Sequence, residues 1–223
     1  MIKVITYNAP HRKTQDLLFR LKLRGHNEVQ VFATPWVNRK NFIPLIPHRN
    51  FKKQNSSPED LCDCFGYNFK AIDNLNEIPS EGKNSIMLIG GAGIINKEII
   101  DKFTIINSHP AYLPYVRGLD SLKWAIYQNK PIGVTSHVIS KEADAGFLIK
   151  QDLLPIHSWD TFHSIALRQY EMEMDFLADS VIDIKTAKLE ELPTTESEST
   201  RRMPHSKEKE LLKRLENIKN NLK

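Results

Sequence analysis

Residues 104–151 read TIINSHPAYLPYVRGLDSLKWAIYQNKPIGVTSHVISKEADAGFLIKQ, and both the fold and the candidate site depend on them. The short apolar run after Thr104 predicts a strand that continues into Asn107 and His109. Because side chains alternate along a strand, the amide of Asn107 and the imidazole of His109 are expected on the same side. Asp144 follows in a turn-prone segment between two apolar runs. Amide, imidazole and carboxylate can stabilise an oxyanion, move a proton and orient a base, so these three residues are the predicted active site.

The N-terminal part of the chain predicts a β-α-β arrangement. Residues 2–7, IKVITY, are rich in β-branched residues and predict a strand. A helix capped by Thr14 and ended by Gly25 follows, and Val29–Phe32 predicts the next strand. Such a start is typical of parallel sheets with right-handed crossovers. The predicted class is therefore α/β: a Rossmann-like, mostly parallel sheet with helices on both faces and a short C-terminal extension.

The remaining elements follow from the same patterns. Ser57-Pro58-Glu59-Asp60 is a strong helix start, and the apolar run Ser85–Ile89 is typical of a buried parallel strand. Further predicted helices lie at 58–65, 96–102 and 119–129 and from a Ser158 cap to Ile184, and further strands at 67–72, 133–139 and 147–153.

The composition changes after residue 185, which predicts a catalytic domain at 1–185 and a polar linker with an amphipathic helix at 186–223. The apolar positions of that helix recur at spacings of four and three. They predict either docking on the core or pairing with a second chain in a homodimer. These positions are Leu211, Leu215, Ile218 and Leu222.

Overall composition narrows the class of protein. The chain has 223 residues and 40% hydrophobic content, without an apolar run of membrane-spanning length or a signal-peptide pattern, so we expect a cytoplasmic protein without a membrane partner. Cys62 and Cys64 lie too close together to predict a disulfide framework or half of a zinc site, and no metal is expected. The net charge of +4 suits an anionic small substrate as well as a weak nucleic-acid surface, so charge alone does not decide.

Two N-terminal loops carry candidate binding residues. Asn8–Lys13 lacks glycine, which excludes a dinucleotide fingerprint or a Walker loop; Arg12 and Lys13 either meet a phosphate or lie in a solvated loop. Residues 34–55 combine aromatic rings with cations, which suits stacking on a base and binding a diphosphate, or else a basic surface loop held by apolar anchors. The rings are Trp36, Phe42 and Phe51, and the cations are Arg39, Lys40, Arg49, Lys52 and Lys53.

A glycine-rich turn, Gly90-Gly91-Ala92-Gly93-Ile94-Ile95, follows the strand at 85–89. Glycines at the carboxyl end of a parallel strand allow a ligand to approach the backbone closely, and this edge is where open α/β sheets bind ligands.

Several motifs in residues 85–155 occur in one order with close spacing. They are Asn107-x-His109-Pro110, Leu113-Pro114-x-x-x-Gly118, Gly133-Val134-Thr135-x-His137, and Asp144-x-Gly146 before a strand that ends in Gln151. Together they resemble the formyltransferase family that uses 10-formyltetrahydrofolate. That family includes glycinamide ribonucleotide formyltransferase, the catalytic domain of methionyl-tRNA formyltransferase and sugar N-formyltransferases.

The resemblance implies that Asn107, His109 and Asp144 are catalytic. Asn107 would donate a hydrogen bond to the oxyanion that forms when an amine attacks the formyl carbon. His109 would remove the amine proton or, when protonated, help to hold the oxyanion, and Asp144 would set the state of the imidazole. The resemblance also implies that backbone groups around two segments hold the pterin of the donor. The cofactor-binding residues so implied are Gly90, Gly91, Ala92, Gly93, Ile94, Ile139 and Glu142.

Among formyl acceptors, the resemblance is strongest to the sugar enzymes and implies an amino group on a nucleotide-linked deoxysugar. The glycinamide ribonucleotide enzymes carry a Gly/Ser/Asn-rich phosphate loop where this chain has Asn8–Lys13, and too few residues follow position 185 for the tRNA-binding domain of the methionyl-tRNA enzymes. Both acceptors remain alternatives, and nucleic acid is not the expected partner. The alternative from a different class is a non-catalytic module that binds RNA or a protein. The implied acceptor-side residues are Tyr112, Tyr115, Arg117, Gly118 and Trp124, joined by Arg12, Lys13 and Trp36.

Overall fold

The computed structural model describes residues 1–37, 42–48, 56–80, 85–142, 144–193 and 199–221. Strands and helices alternate through much of this range. The strands are β1 (Ile2–Tyr7), β2 (Val29–Thr34), β3 (Asn68–Ala71), β4 (Ile86–Ile89), β5 (Thr104–His109), β6 (Arg117–Gly118), β7 (Gly133–Ile139), β8 (Gly146–Leu153), β9 (Glu190–Glu191) and β10 (Ser199–Thr200). The helices are α1 (Arg12–Leu23), α2 (Pro58–Phe65), α3 (Lys97–Lys102), α4 (Ser121–Gln128), α5 (Phe162–Asp183) and α6 (His205–Asn220).

Eight of these strands form one sheet, in the order β3-β2-β1-β4-β5-β7-β8-β9. The first five pair parallel to their neighbours, whereas β7, β8 and β9 add antiparallel at one side. The predicted α/β class with a mostly parallel, Rossmann-like sheet is confirmed. Because β1, β4 and β5 run in the same direction, their carboxyl ends meet at one edge, which carries the loop after β1, the glycine turn and His109.

Helices cover both faces of the sheet, as predicted, because successive side chains of the central strands are buried on opposite faces. Val4 and Leu88 are fully buried in an apolar layer formed with α1, α2 and α5. Their sequence neighbours Ile5 and Met87 belong to a second layer, which contains Ile99 of α3. This is the period of two that a strand buried on both faces imposes.

Two predicted helix caps are wrong. Thr14 lies inside α1, where its buried hydroxyl contacts the hydroxyl of Thr6 and lies 2.9 Å from Nδ1 of His11. Ser158 does not cap α5, because residues 157–160 form a turn of their own in which Asp160 Oδ2 accepts from the His157 N–H at 2.8 Å. Thr161 caps α5 instead, with its side chain accepting from the N–H of Ser164.

The C-terminal segment packs on the rest of the chain. β10 pairs in parallel with β6, and α6 lies against α4 with Leu211 and Leu215 buried. Of the two predicted arrangements for the apolar positions of this helix, the structure shows docking on the core. Leu222, the last of these positions, lies outside the described residues. The predicted homodimer stays a prediction. Within the described ranges, each helix is too short or too polar to cross a membrane.

Candidate active site

Asn107, His109 and Asp144 come together at the carboxyl end of β5. Asn107 and His109 are two residues apart on that strand, and Nδ1 of His109 lies 3.3 Å from Oδ1 of Asp144. His109 is 7% exposed. Its Nε2 is buried without a hydrogen-bond partner among the described residues. The imidazole is therefore oriented through one nitrogen and has the other available for a proton.

The second carboxylate oxygen of Asp144 accepts a hydrogen bond from the backbone of β6. Its Oδ2 accepts from the N–H of Gly118 at 2.7 Å, and its backbone lies in the left-handed region at φ 51°. Gly118 itself has φ 92°. The glycine of the Leu-Pro-x-x-x-Gly motif thus positions the carboxylate of the Asp-x-Gly motif.

The loop after His109 is fixed by buried side chains from three other elements. The Pro110 carbonyl accepts from Gln169 Nε2 at 2.9 Å and from Ser121 Oγ at 2.6 Å. Thr135 Oγ1 donates to the Ala111 carbonyl at 2.8 Å. These bonds show why the sequence motifs extend beyond the three candidate catalytic residues.

Gln151 completes this support. Its Nε2 donates to the Leu113 carbonyl at 2.6 Å and to Thr135 Oγ1 at 2.8 Å, while the Leu113 N–H donates to the same hydroxyl at 3.1 Å. Thr135 and Gln151 therefore hold the loop after His109 in place.

His137 is a site residue to which the sequence alone assigned no role. It pairs across the sheet with Asn107, and its Nδ1–H donates to the Ala145 carbonyl at 2.9 Å, next to Asp144. Burial, followed by the charge of nearby His109, lowers the pKa of His137 to about 4. His137 is therefore neutral at physiological pH. The sequence signal that could have identified it as a site residue is its place in the Gly133-Val134-Thr135-x-His137 motif.

A cavity of about 420 Å³ opens beside Asn107 and His109. Lys13 lies in its wall and pairs with Glu173 at 2.8 Å; this carboxylate is almost fully buried in α5. His48, Asp120 and Arg202 also line this cavity. Of the two predicted phosphate-binding cations, the structure thus brings Lys13 to the candidate active site.

Arg12 and Trp36 lie outside that cavity wall. Arg12 Nε pairs with Asp16 at 2.5 Å, an i,i+4 contact on α1. Trp36 is half exposed and packs edge-on against Tyr7, with ring centroids 5.0 Å apart. Phe42 lies against His205, with centroids 5.4 Å apart. Phe51, Arg39, Lys40, Arg49, Lys52 and Lys53 lie outside the described residues.

The predicted acceptor-side residues divide into exposed and buried groups. Tyr112 and Tyr115 stack with centroids 6.0 Å apart, and Tyr115 is 38% exposed. Arg117 and Trp124 are buried instead. Trp124 Nε1 donates to the Arg201 carbonyl at 2.8 Å, so its indole holds the C-terminal segment.

The predicted donor-side residues line two further cavities. Gly91, Ala92, Gly93 and Ile94 border one of about 240 Å³, whereas Ile139 and Glu142 border one of about 420 Å³ between β7 and α3. The N–H groups of Gly90 and Gly91 both donate to the Ile5 carbonyl, at 3.0 and 3.1 Å. In the part of the chain that the structure describes, His, Cys, Asp and Glu side chains form no group of three suited to a metal ion.

The C-terminal segment supplies site residues that the sequence pattern did not identify. Arg202 reaches the cavity wall and pairs with Asp120 at 2.9 Å. Fully buried Lys123 of α4 pairs with fully buried Glu208 of α6. Ion pairs between residues more than eighty positions apart leave no local signal in a sequence.

Comparisons with known proteins find relatives among formyltransferases. Methionyl-tRNA formyltransferase of Fusobacterium nucleatum is 32% identical over 121 residues, which is 53% of this chain and 39% of that protein. The dTDP-4-amino-4,6-dideoxyglucose formyltransferase of Mycobacterium bovis is 32% identical over 81 residues, which is 36% of this chain and 35% of that protein. The matches thus span less than two fifths of the length of these relatives.

The fold is also found in solved structures. The N-formyltransferase of Helicobacter canadensis, solved with folinic acid and dTDP-3-aminofucose, superimposes with a TM-score of 0.63 at 21% identity, covering 91% of this chain and 71% of that one. At this identity the likeness concerns the fold. A family model described as formyl transferase matches residues 36–181, more than half of the chain. The chain therefore belongs to the formyl transferase family.

Proposed function

We propose that this protein transfers the formyl group of 10-formyltetrahydrofolate to the amino group of a nucleotide-linked amino deoxysugar. The observation that carries the proposal is that Asn107 and His109 line the cavity while Nδ1 of His109 lies 3.3 Å from the Asp144 carboxylate. A cytoplasmic location stays a prediction that accompanies it.

The residues around the triad fit a formylated folate. Phe103, Val138 and Ser140 also line the cavity that Ile139 and Glu142 border, a mixture of apolar and polar groups that suits a flat ring with polar edges. At the glycine turn, a Cβ on Gly91 would come within 2.9 Å of His11, so position 91 has no room for a side chain. The N–H groups of Gly90 and Gly91 already donate to the Ile5 carbonyl. Contacts between this turn and the folate would therefore come from Ala92, Gly93 and Ile94.

When bound, the folate supplies an electrophilic formyl carbon. Asn107 would donate to the carbonyl oxygen that gains negative charge, an interaction whose loss typically lowers the rate by about 10²–10³. His109 would accept the proton of the attacking amine at its unpartnered Nε2. Asp144 would keep the proton of His109 on Nδ1, so that Nε2 stays a base.

The surroundings of the cavity support this class of acceptor. Lys13 and Arg202 lie in its wall, and the stacked rings of Tyr112 and Tyr115 lie on the loop after His109. Cations and exposed aromatic faces suit a substrate that carries a diphosphate and a base. The relative from Mycobacterium bovis, whose name specifies a dTDP-linked amino sugar, supports the same acceptor class.

The test is to incubate the protein with 10-formyltetrahydrofolate and a panel of nucleotide-linked amino sugars, and to measure tetrahydrofolate release and product mass. We expect release with at least one amino sugar. His109→Ala should abolish turnover while folate binding persists. The matched control is His163→Ala, because His163 is exposed on α5 and should keep the wild-type rate.

The same panel separates the alternatives. It includes glycinamide ribonucleotide and charged initiator tRNA, since formylation of either in place of the sugars would reassign the acceptor. Absence of tetrahydrofolate release with every acceptor, combined with tight RNA binding, would support the non-catalytic module. Undiminished turnover by His109→Ala would refute the proposed base.

A further inference from the structure

The last described segment, Ser199–Asn221, is here called the C-terminal strap. It lies beyond residue 181, where the family match ends. Thr200 Oγ1 donates to the Arg117 carbonyl at 2.6 Å, and the Leu119 N–H donates to the Thr200 carbonyl at 2.9 Å. The strap therefore runs directly beside Gly118, whose N–H holds Asp144.

The strap also holds residues 42–48, a segment that contributes Pro44, Pro47 and His48 to the cavity lining. Glu208 accepts from Lys123 with one carboxylate oxygen and from the Leu45 N–H with the other, the latter at 2.8 Å. His205 Nε2 lies 3.0 Å from the Ile43 carbonyl. Residues 42–48, which carry His48 into the cavity wall, are thus fastened to α6.

Arg202 is the strap residue best placed to meet an anionic ligand. Its side chain is 48% exposed, whereas its partner Asp120 is 1% exposed. Because about half of the Arg202 side chain is exposed, solvent screens its attraction to Asp120. Asp120 keeps other partners if Arg202 turns away, because its Oδ2 accepts from the Met203 N–H at 3.0 Å and lies 3.9 Å from Lys123 Nζ.

The guanidinium has hydrogen-bond donors to spare for a ligand. The bond to Asp120 uses Nη1, and a guanidinium carries five N–H groups in a planar fork. Two oxygens of one phosphate group match the geometry of that fork better than two separate water molecules do. A phosphate would therefore form charge-assisted hydrogen bonds with guanidinium N–H groups that the bond to Asp120 does not use.

Arg202 also lies between two cavities. One is the cavity with Asn107 and His109; the other, of about 530 Å³, is lined by Tyr115, Trp124 and Lys130. Arg202 borders both. In a nucleotide sugar the diphosphate lies between the sugar and the nucleoside, so a substrate that presents its amine to His109 would bring its diphosphate to Arg202 and its base toward Tyr115.

We propose that the C-terminal strap forms part of the acceptor site and that Arg202 binds the diphosphate of the nucleotide-linked substrate. This inference rests on the proposed function for the nature of the acceptor. It adds a specificity-determining residue from a segment outside the matched family region.

The test measures binding of dTDP and UDP, and of thymidine and uridine, to the full chain by isothermal titration calorimetry. The wild type should bind a nucleoside diphosphate at least about tenfold more tightly than its nucleoside, the size of one charge-assisted interaction. Arg202→Gln should lose most of this advantage and leave nucleoside binding unchanged. Arg202→Lys should be intermediate, because an ammonium keeps the charge without the fork.

Lys213→Gln is the matched control, since it removes one charge from an exposed position of α6 and should bind as the wild type does. Equal affinity of wild type and Arg202→Gln for both diphosphates would overturn the inference, and so would wild-type protein that binds neither. Either result leaves formyl transfer to be judged separately. Failure of the proposed function would show instead as the absence of product from every amino sugar, which this binding measurement does not involve.

Discussion

The backbone N–H of Gly118 donates to Oδ2 of Asp144 across 2.7 Å. Through its other oxygen the same carboxylate faces Nδ1 of His109 at 3.3 Å. Gly118 also adjoins the C-terminal strap, because a Cβ placed on it would lie 2.3 Å from the Thr200 carbonyl oxygen. One glycine thus connects the orientation of the candidate base with the position of a segment more than eighty residues away.

Gly118→Ala should therefore impair turnover. The new methyl group cannot coexist with the Thr200 carbonyl, so either the strap or the Gly118 N–H must move, and Asp144 loses its fixed position. We expect kcat to fall by about 10²-fold, the effect of roughly 1 Å of misplacement at a reacting centre. Steady-state kinetics with the amino sugar that the acceptor panel identifies would measure it.

The control for this variant is Gly66→Ala. Gly66 also has positive φ, at 70°, but a Cβ there would meet nothing within 4 Å. Gly66→Ala should lower the free energy of unfolding by about 1–2 kcal/mol, the cost of a left-handed backbone conformation for a residue with a Cβ, and should leave kcat at the wild-type value. If the two variants lose activity equally, backbone strain rather than the contact with Thr200 is responsible.

Asp144→Asn should separate charge from shape at the same position. An asparagine keeps an oxygen for the Gly118 N–H, but it no longer stabilises the imidazolium that forms when His109 takes up a proton. We expect kcat to fall by about 10²–10⁴ with folate affinity nearly unchanged. Stopped-flow folate binding and kcat together measure this, and wild-type kcat would remove Asp144 from the mechanism.

Local patterns account for the parts of the fold and site that were predicted. Alternation in β5 placed Asn107 and His109 on one side, and the Ser57-Pro58 signal gives the start of α2, where Ser57 and Asp60 form a capping box. The structure brings Asn107, His109 and Asp144 together as expected, while their catalytic roles stay predictions. These features depend on residues close in sequence, which is why periodicity and capping rules reach them.

The misplaced features depend on distant residues. Trp124 has the composition of an acceptor-site ring, yet its indole N–H is satisfied by the carbonyl of Arg201 and Lys207 Nζ lies 4.6 Å from its ring centroid. Nothing near Trp124 in the sequence indicates that a polar segment returns to cover it. The same holds for Arg202, whose place in the cavity wall depends on the docking of α6.

The buried pair of Lys123 and Glu208 should make a large contribution when only one partner is lost. Glu208→Ala removes the nearer of two carboxylates from the fully buried ammonium of Lys123 and leaves Asp120 at 3.9 Å, so it is expected to lower the free energy of unfolding by about 3 kcal/mol, the lower end for a broken buried pair. The double variant Lys123→Met with Glu208→Leu should recover most of that loss, because apolar replacement removes the unpaired charge. Urea denaturation of each variant measures these changes.

A surface pair on the same helix provides the comparison. Glu210 and Arg214 are 3.1 Å apart with both side chains roughly half exposed, so Glu210→Ala should cost less than about 1 kcal/mol. Equal losses for Glu208→Ala and Glu210→Ala would mean that the buried pair does not fasten α6 to α4.

His137 should make stability depend on pH in a defined window. Burial and the nearby His109 lower its pKa from 6.5 to about 4, against an opposing effect of Asp144. Between these values the unfolded chain binds a proton at His137 that the folded chain does not. The free energy of unfolding therefore decreases as pH falls through this window, by about 2 kcal/mol between pH 7.5 and pH 5 for this group.

Urea denaturation at both pH values, for wild type and His137→Gln, tests this linkage. Glutamine does not titrate, so the decrease between pH 7.5 and pH 5 should be smaller in the variant by about 2 kcal/mol, whatever its stability at pH 7.5. His163→Gln is the matched control, because it makes the same replacement at an exposed position of α5. An identical decrease in wild type and His137→Gln would show that His137 takes up its proton equally well in both states, and the neutral imidazole inferred beside Asn107 would be wrong.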